Sequence, residues 1–139
     1  MAAFTKFHSY ELGRCRGVHK LHSDDLKVYL SNTAPDVATM VTKADLDEIT
    51  AENGYEGPIS IGNSIEETDG VVSLSGATDI EITATGDIGP FRYVVLYNDT
   101  PDTPVVDPLI GHYDYGESAT IHEQEKLIIP VGQVLEQIS

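Results

Sequence analysis

The sequence predicts an all-β fold: an antiparallel β-sandwich, jelly-roll- or Ig-like, with at most one or two short helices. The first observation is the run Ile88–Asp99 (IGPFRYVVLYND), where aromatic and β-branched residues alternate with the period of a strand. The second is a similar run at Asp107–Gly116 (DPLIGHYDYG). The third is the recurrence of short apolar runs about every ten residues, with turn residues between them. Such gaps are too short for the helices that connect parallel strands, so antiparallel pairing is expected.

The two longest runs predict a hairpin at the centre of the domain. Apolar residues occupy both faces of the first run, so it is expected to be a central strand covered on two sides. Pro90 lies just before this strand, where a missing N–H costs little. Pro101 and Pro104 keep the intervening loop, Thr100–Asp107, out of sheet register.

The N-terminal part of the chain is predicted to be less regular. Residues 1–25 are expected to form a short strand or arm followed by a loop, because Gly13 and Gly17 interrupt any helix there. Leu26–Ser31 is a predicted strand. Thr42–Ile49 is the one predicted helix, with a threonine cap and an acidic residue three positions later.

Short runs of β-forming residues fill the remainder of the chain. They are Ile59–Ile61, Val71–Leu74, Ile80–Ile82, Phe91–Tyr97, Leu109–Tyr115, Ala119–Ile121 and Leu127–Val131. The length of 139 residues is close to that of one domain, so residues 1–139 are expected to form a single β-sandwich domain. The residues expected in its core are Phe91, Tyr93, Val95, Leu96, Leu26, Val28 and Leu30.

The charge of the chain is strongly uneven. The net charge is −15, yet residues 1–43 carry six Lys and Arg against four acids, whereas residues 44–139 carry two against nineteen. We call residues 44–139 the acidic body. Nucleic acid and anionic membranes repel such a surface, so neither is an expected partner. Two interpretations remain open: a solvated acidic surface, or a bipolar molecule whose less acidic end faces a partner.

No motif in the chain points to catalysis, so we expect no enzyme activity, no cofactor and no metal. The pair His19 and His22 lacks the glutamate and the helix of a zinc protease motif. Asp99, Asp102 and Asp107 lack the ligand spacing of an EF-hand loop. Two acids facing each other across a cleft, as in a glycoside hydrolase, cannot be recognised from sequence alone.

Two other residue types have a functional and a structural interpretation. Cys15 is the only cysteine, so no disulfide can form within the chain, and we expect a small half-buried residue rather than a reactive thiol. The tyrosines of the two long runs can stack on sugars, but their strand spacing favours packing within the sheet.

Four segments of the chain resemble a family of small virion proteins of tailed bacteriophages. They are HSDDLKVYLSNTAP (His22–Pro35), DEITAENGY (Asp47–Tyr55), IGPFRYVVLYND (Ile88–Asp99) and PLIGHYDYGES (Pro108–Ser118). The combination is specific and covers roughly a third of the chain. It implies a virion structural role and carries over no catalytic residues.

Within that class, we expect a capsid decoration (cement) protein that is made in the host cytoplasm and binds the outside of the major capsid protein lattice, because one compact β-domain with an acidic body and no disulfide is typical of such proteins. A tail or neck component and a glycan-binding virion module remain alternatives. Neighbouring copies of the protein, as trimers or dimers, are further expected partners. The charge split makes residues 1–25 a candidate docking arm. Its predicted contact residues are Phe4, Lys6, Phe7, Arg14, Arg16 and Lys20.

Overall fold

The computed structural model describes residues 4–101, 105–132 and 134–138. Strands account for 44% of the chain, and all strand pairs of the described residues are antiparallel, which confirms the all-β class. The strands are β1 (Thr5–Lys6), β2 (Leu26–Ser31), β3 (Ile59–Ser60), β4 (Ser64–Thr68), β5 (Val71–Ser75), β6 (Ile80–Thr83), β7 (Ile88–Asn98), β8 (Leu109–Ile121), β9 (Lys126–Ile129) and β10 (Val134–Ile138). The helical elements are α1 (His8–Cys15) and a 3-10 turn (Lys43–Asp45).

The strands form sheets of five, three and two strands in the described part of the chain. The five-stranded sheet has the order β1-β8-β7-β2-β3, the three-stranded sheet the order β10-β5-β4, and β6 pairs with β9. The predicted central hairpin is therefore present, with β7 between β8 and β2. The jelly-roll or Ig-like arrangement stays a prediction.

Two clusters of buried side chains cover the two faces of the five-stranded sheet. Alternation along β7 divides its residues between them: Val94 and Leu96 belong to the larger cluster, Val95 and Tyr97 to the smaller. The larger cluster also includes residues of the other two sheets, such as Leu74 of β5. All seven residues that the sequence places in the core are buried.

The predicted helix over Thr42–Ile49 is longer than the helical segment in the structure, which is Lys43–Asp45. Its capping box exists, because the Asp45 carboxylate accepts the Thr42 N–H at 3.0 Å, but only the 3-10 turn follows. The backbone beyond it instead runs beside β2, where the Ile49 N–H donates to the Leu30 carbonyl at 3.0 Å. Strand-like pairing with β2 has replaced the helical hydrogen bonds that the sequence pattern suggested.

The N-terminal prediction is wrong in a different way. A short strand is present as β1, but the expected loop after it is the helix α1, with Gly13 inside the helix. Pro90 lies within β7 rather than before it, at an irregularity of the β7–β8 register, where a missing N–H is tolerated. Within the described residues, neither helical element has the length and apolar character needed to cross a bilayer.

Candidate partner-binding surface

Two fully buried aromatic side chains attach α1 to the five-stranded sheet. Phe7, directly before the helix, belongs to the smaller cluster, and Tyr10, in its first turn, belongs to the larger one. The Phe7 N–H donates to the carbonyl of Ile110 at 3.0 Å. The helix therefore lies at the β1 edge of the sheet, and these two side chains connect it to the buried clusters on both faces of the sheet. Residues 4–15 are an integral part of the fold.

The helix ends in a glycine-terminated turn. Gly17 has a φ of +76°, a conformation that glycine adopts without strain. The Val18 N–H donates to the Gly13 carbonyl at 2.9 Å, and the Gly17 N–H donates to the Arg14 carbonyl at 3.3 Å. This is the hydrogen-bond pattern of a Schellman motif. The turn ends α1 at Cys15, with Arg16 as the C-cap residue, and brings Val18 back towards the helix.

An apolar cleft of about 230 Å³ lies along the exposed side of α1. We call it the α1 cleft, and its walls include Leu12, Gly13, Arg16, Val18, Val41 and Val105. Leu12 is 53% exposed, and Val41 is also exposed. Exposed apolar side chains grouped in one place mark a surface that a partner can cover.

Long-range backbone pairing forms the wall of the α1 cleft opposite the helix. The Leu109 N–H donates to the Val41 carbonyl at 2.8 Å, and the Lys43 N–H donates to the Asp107 carbonyl at 2.9 Å. This pairing holds the segment around Val41 against the end of the β7–β8 loop. The wall therefore depends on residues that are far apart in sequence.

The ion pairs of the chain leave its positive charge concentrated after α1. All eight Lys and Arg residues lie in the described ranges, and six of them pair with acids. The six pairs are Lys6–Glu11, Arg14–Glu11, Lys27–Asp99, Lys43–Glu48, Arg92–Asp114 and Lys126–Glu81. Arg16 and Lys20 have no ion pair with a described residue, and both are exposed. Both cations of the acidic body, in contrast, are neutralised locally.

The Glu11 carboxylate accounts for two of the basic residues that the sequence assigns to docking. It lies 2.9 Å from the Lys6 ammonium and 2.8 Å from the Arg14 guanidinium. The hydrogen bond from Lys6 is the main cause of a lowered Glu11 pKa, to which the Arg14 charge also contributes. Arg14 additionally lies over the Tyr10 ring, 5.5 Å from its centroid. Lys6 and Arg14 therefore have partners within the fold.

The six predicted docking residues differ in burial and in position, and only some of them lie on the surface at the α1 cleft. Phe7 is fully buried, so its proposed role as an exposed anchor is corrected: it is a core residue. Phe4 is half-buried, with its ring centroid 5.3 Å from that of Tyr113. Arg16 lines the α1 cleft and Lys20 lies in the loop that follows. The first three residues of the predicted arm lie outside the described residues.

Sequence reasoning missed the apolar part of this surface. Leu12 follows the buried Tyr10 by two residues, and residues two apart in a helix do not share a face. That spacing places Leu12 away from the core once the helix is known. Val41 and Val105 carry no comparable signal, because only the tertiary pairing brings them to the helix.

The buried polar groups behind α1 form a structural network rather than a ligand site. The Asn98 amide donates to Asp24 Oδ2 at 2.8 Å and lies 3.1 Å from His19 Nδ1. Burial lowers the pKa of His19 to about 4, although the Asp24 charge opposes this shift. In the described ranges, no three His, Cys, Asp or Glu side chains are grouped so that they could hold a metal ion. Asp102, one of the three acids considered for calcium, lies outside those ranges.

The cysteine and the tyrosines that the sequence offers as functional candidates differ in exposure. Cys15 is exposed at the end of α1, so the expectation that it is half-buried is wrong. Tyr93, Tyr97 and Tyr113 are buried, which confirms their packing role, whereas Tyr115 is partly exposed. Burial and the nearby Asp99 raise the pKa of Asp107, which lies beside the base of the β7–β8 loop.

Comparisons of the chain with protein-family models, with curated proteins and with solved structures found no match.

Proposed function

We propose that this protein is a non-enzymatic structural component of a tailed-bacteriophage virion, and that it decorates the capsid by binding the outside of the major capsid protein lattice. The sequence resemblance described above suggests the class. The observation that carries the docking mode is the α1 cleft, where apolar side chains lie beside Arg16, which has no ion pair with a described residue. The buried centre of a protein interface is apolar, and arginine is enriched among the residues that contribute most of the binding energy.

The charge distribution supports one orientation on the shell. With the α1 cleft facing the capsid, the acidic body faces solvent, where its carboxylates stay hydrated. Its two cations, Arg92 and Lys126, are each paired with an acid on the same surface. Neighbouring copies repel one another through their bodies, so contacts between copies involve the less acidic end.

The test is co-sedimentation of the purified protein with undecorated shells of the phage. Deletion of residues 1–10 is a poor variant, because it removes the buried Phe7 and Tyr10 and thereby damages the core. Arg16→Glu reverses an exposed charge in the α1 cleft without touching the core. Lys126→Glu makes the same charge change on β9 in the acidic body and serves as the matched control.

We expect the wild type and Lys126→Glu to bind the shells, and Arg16→Glu to bind about tenfold more weakly or worse. Failure of the wild type to bind would overturn the decoration role. Quantitative mass spectrometry of purified particles then separates the alternatives. A copy number comparable with that of the capsid protein supports decoration, whereas a far lower number supports a tail, neck or glycan-binding component.

A further inference from the structure

We infer that the α1 cleft binds a short segment of the partner that presents one apolar side chain next to a carboxylate. The inference deepens the proposed function, on which it rests, by naming the chemistry of the partner segment. The apolar side chain occupies the space between Leu12 and Val41, and the carboxylate pairs with Arg16.

The size of the α1 cleft selects a side chain rather than a cofactor. Its volume of about 230 Å³ is below the roughly 300–1,000 Å³ of typical small-molecule sites. Its walls at Leu12, Val18, Val41 and Val105 are aliphatic. A buried apolar anchor in such a pocket is the usual centre of a protein interface.

Arg16 selects the charge of the neighbouring group. It is the one basic residue of the cleft wall, and it has no ion pair with any described residue. Covering an unpaired guanidinium with a neutral surface would remove its hydration without a replacement. A carboxylate supplies that replacement, because arginine and carboxylate form two parallel hydrogen bonds.

A second copy of this chain is the main competing occupant. Among the described residues, the large apolar side chains that are exposed and do not line the α1 cleft are Val106, Tyr115 and Ile128. Ile128 lies directly across from Glu81 in the β6–β9 pair, so it too presents an apolar group beside an acid. However, Glu81 already pairs with Lys126 at 2.8 Å. Inserting Ile128 of a second copy into the α1 cleft would therefore bring the Lys126 ammonium towards the Arg16 guanidinium. Two chains with a net charge of −15 also repel each other, so a different protein is the better fit.

The experiment selects binders to the full-length protein from a random linear peptide library. The selected peptides are then measured against the wild type and against Leu12→Asp, which places a charge in the α1 cleft. Ile128→Asp is the matched control, because Ile128 is 54% exposed and Leu12 is 53% exposed. Circular dichroism melting establishes that both variants fold, as their exposure leads us to expect. The light-scattering mass of each protein reports self-association.

The expected result is a set of peptides with an aliphatic or aromatic residue next to Asp or Glu. Their binding should fall about tenfold or more with Leu12→Asp and with Arg16→Gln, weaken with added salt, and stay unchanged with Ile128→Asp. A consensus without an acid, or peptides that bind Leu12→Asp equally well, would overturn the inference. Self-association that both aspartate variants abolish would overturn it as well, in favour of a second copy.

This experiment separates the inference from the proposed function, because the peptide selection uses no capsid. If the wild type binds shells and Leu12→Asp binds them equally well, decoration stands and the inference fails. If the selection yields the expected peptides but the protein does not bind shells, the inferred chemistry of the α1 cleft is supported and its partner is not the capsid protein.

Discussion

The side-chain amide of Asn98 donates a 2.8 Å hydrogen bond to the Asp24 carboxylate, although the two residues are 74 positions apart in sequence. Asn98 is fully buried at the end of β7, and its Oδ1 also accepts the Thr100 N–H at 3.1 Å. Asp24 in turn accepts the Lys20 N–H at 2.8 Å. One asparagine thus connects the loop after α1 to the central strand and to the start of the β7–β8 loop.

Asn98→Ala should destabilise the fold by about 2–3 kcal/mol, because it removes the only side-chain donor that the structure describes for the buried Asp24 carboxylate and leaves it the Lys20 N–H. Urea unfolding followed by circular dichroism measures this cost. Asn32→Ala is the control: Asn32 is exposed and accepts one hydrogen bond, from Ser118 at 2.9 Å. Its cost should stay below about 0.5 kcal/mol. Equal costs at the two positions would show that the Asn98 network contributes no special stability.

His19 should make the stability of the fold depend on pH. Burial lowers its pKa from 6.5 to about 4, so between these values the unfolded chain binds a proton that the folded chain does not. Stability therefore falls as the pH decreases through this range, by about 2–3 kcal/mol in total. His112, whose pKa is also lowered by burial, adds to the same trend.

The measurement is the free energy of unfolding from pH 7 down to about 5, above the range in which carboxylates with lowered pKa values lose their stabilising charge. His19→Gln should flatten this dependence whatever its effect on stability at pH 7. His22→Gln changes an exposed histidine of the same loop and serves as control. A slope as steep in His19→Gln as in the wild type would assign the titration to another group, whereas a smaller remaining slope is expected from His112.

The sequence predicts the central hairpin well because its signal is local. In β7, both alternating sets of residues are apolar, and both sets are buried on opposite faces of the sheet. The edge strand β4, SIEET, was missed because its residues are mostly polar and exposed. Its identity as a strand comes from pairing with β5, which single-sequence periodicity does not report.

Glycine explains the missed helix. Gly13 and Gly17 resemble helix interruptions in the sequence, but they have different roles in the structure. Gly13 allows α1 to approach His19, since a Cβ there would lie 3.3 Å from the imidazole ring. Gly17 forms the turn that ends the helix. The meaning of each glycine depends on a tertiary neighbour or on the backbone conformation.

The candidate site could be predicted only in part, for a similar reason. The surplus of basic residues near the N-terminus is visible in the sequence, but which of them are paired is not. Lys27 of β2, for example, pairs with Asp99, which directly follows the neighbouring strand β7. Only the fold distinguishes it from Arg16, and only the fold brings Val41 and Val105 beside α1.

Gly111→Ala should displace β1 from β8. A Cβ at this position would overlap the Phe4 ring and lie 2.7 Å from the Thr5 carbonyl oxygen. We expect a loss of about 1–3 kcal/mol, as for other overpacked sites. Hydrogen exchange should show reduced protection of the Phe7 amide, which bonds to Ile110 in the same region. The double variant with Phe4→Ala tests the cause. A cost of Gly111→Ala that is no smaller in that background would exclude the Phe4 ring as the obstacle.

Tyr55→Phe should separate the hydrogen bonds of a buried tyrosine from its packing. The Tyr55 hydroxyl donates to Glu48 Oε2 at 2.6 Å and accepts the Leu30 N–H at 3.1 Å. Removing it leaves a strand N–H without a partner and weakens the position of Glu48, which also holds Lys43 at 2.9 Å. We expect a loss of about 2 kcal/mol.

Tyr113→Phe is the matched control for this change. Tyr113 is also buried in the larger cluster, but its hydroxyl makes no hydrogen bond with a described residue. Its substitution should therefore change the free energy of unfolding by less than about 0.5 kcal/mol. Thermal and urea unfolding of the two single variants provide the comparison. If Tyr55→Phe and Tyr113→Phe cost the same, the Tyr55 hydroxyl does not hold the segment between the 3-10 turn and β3 against β2. The ring packing alone would then account for the position of that segment.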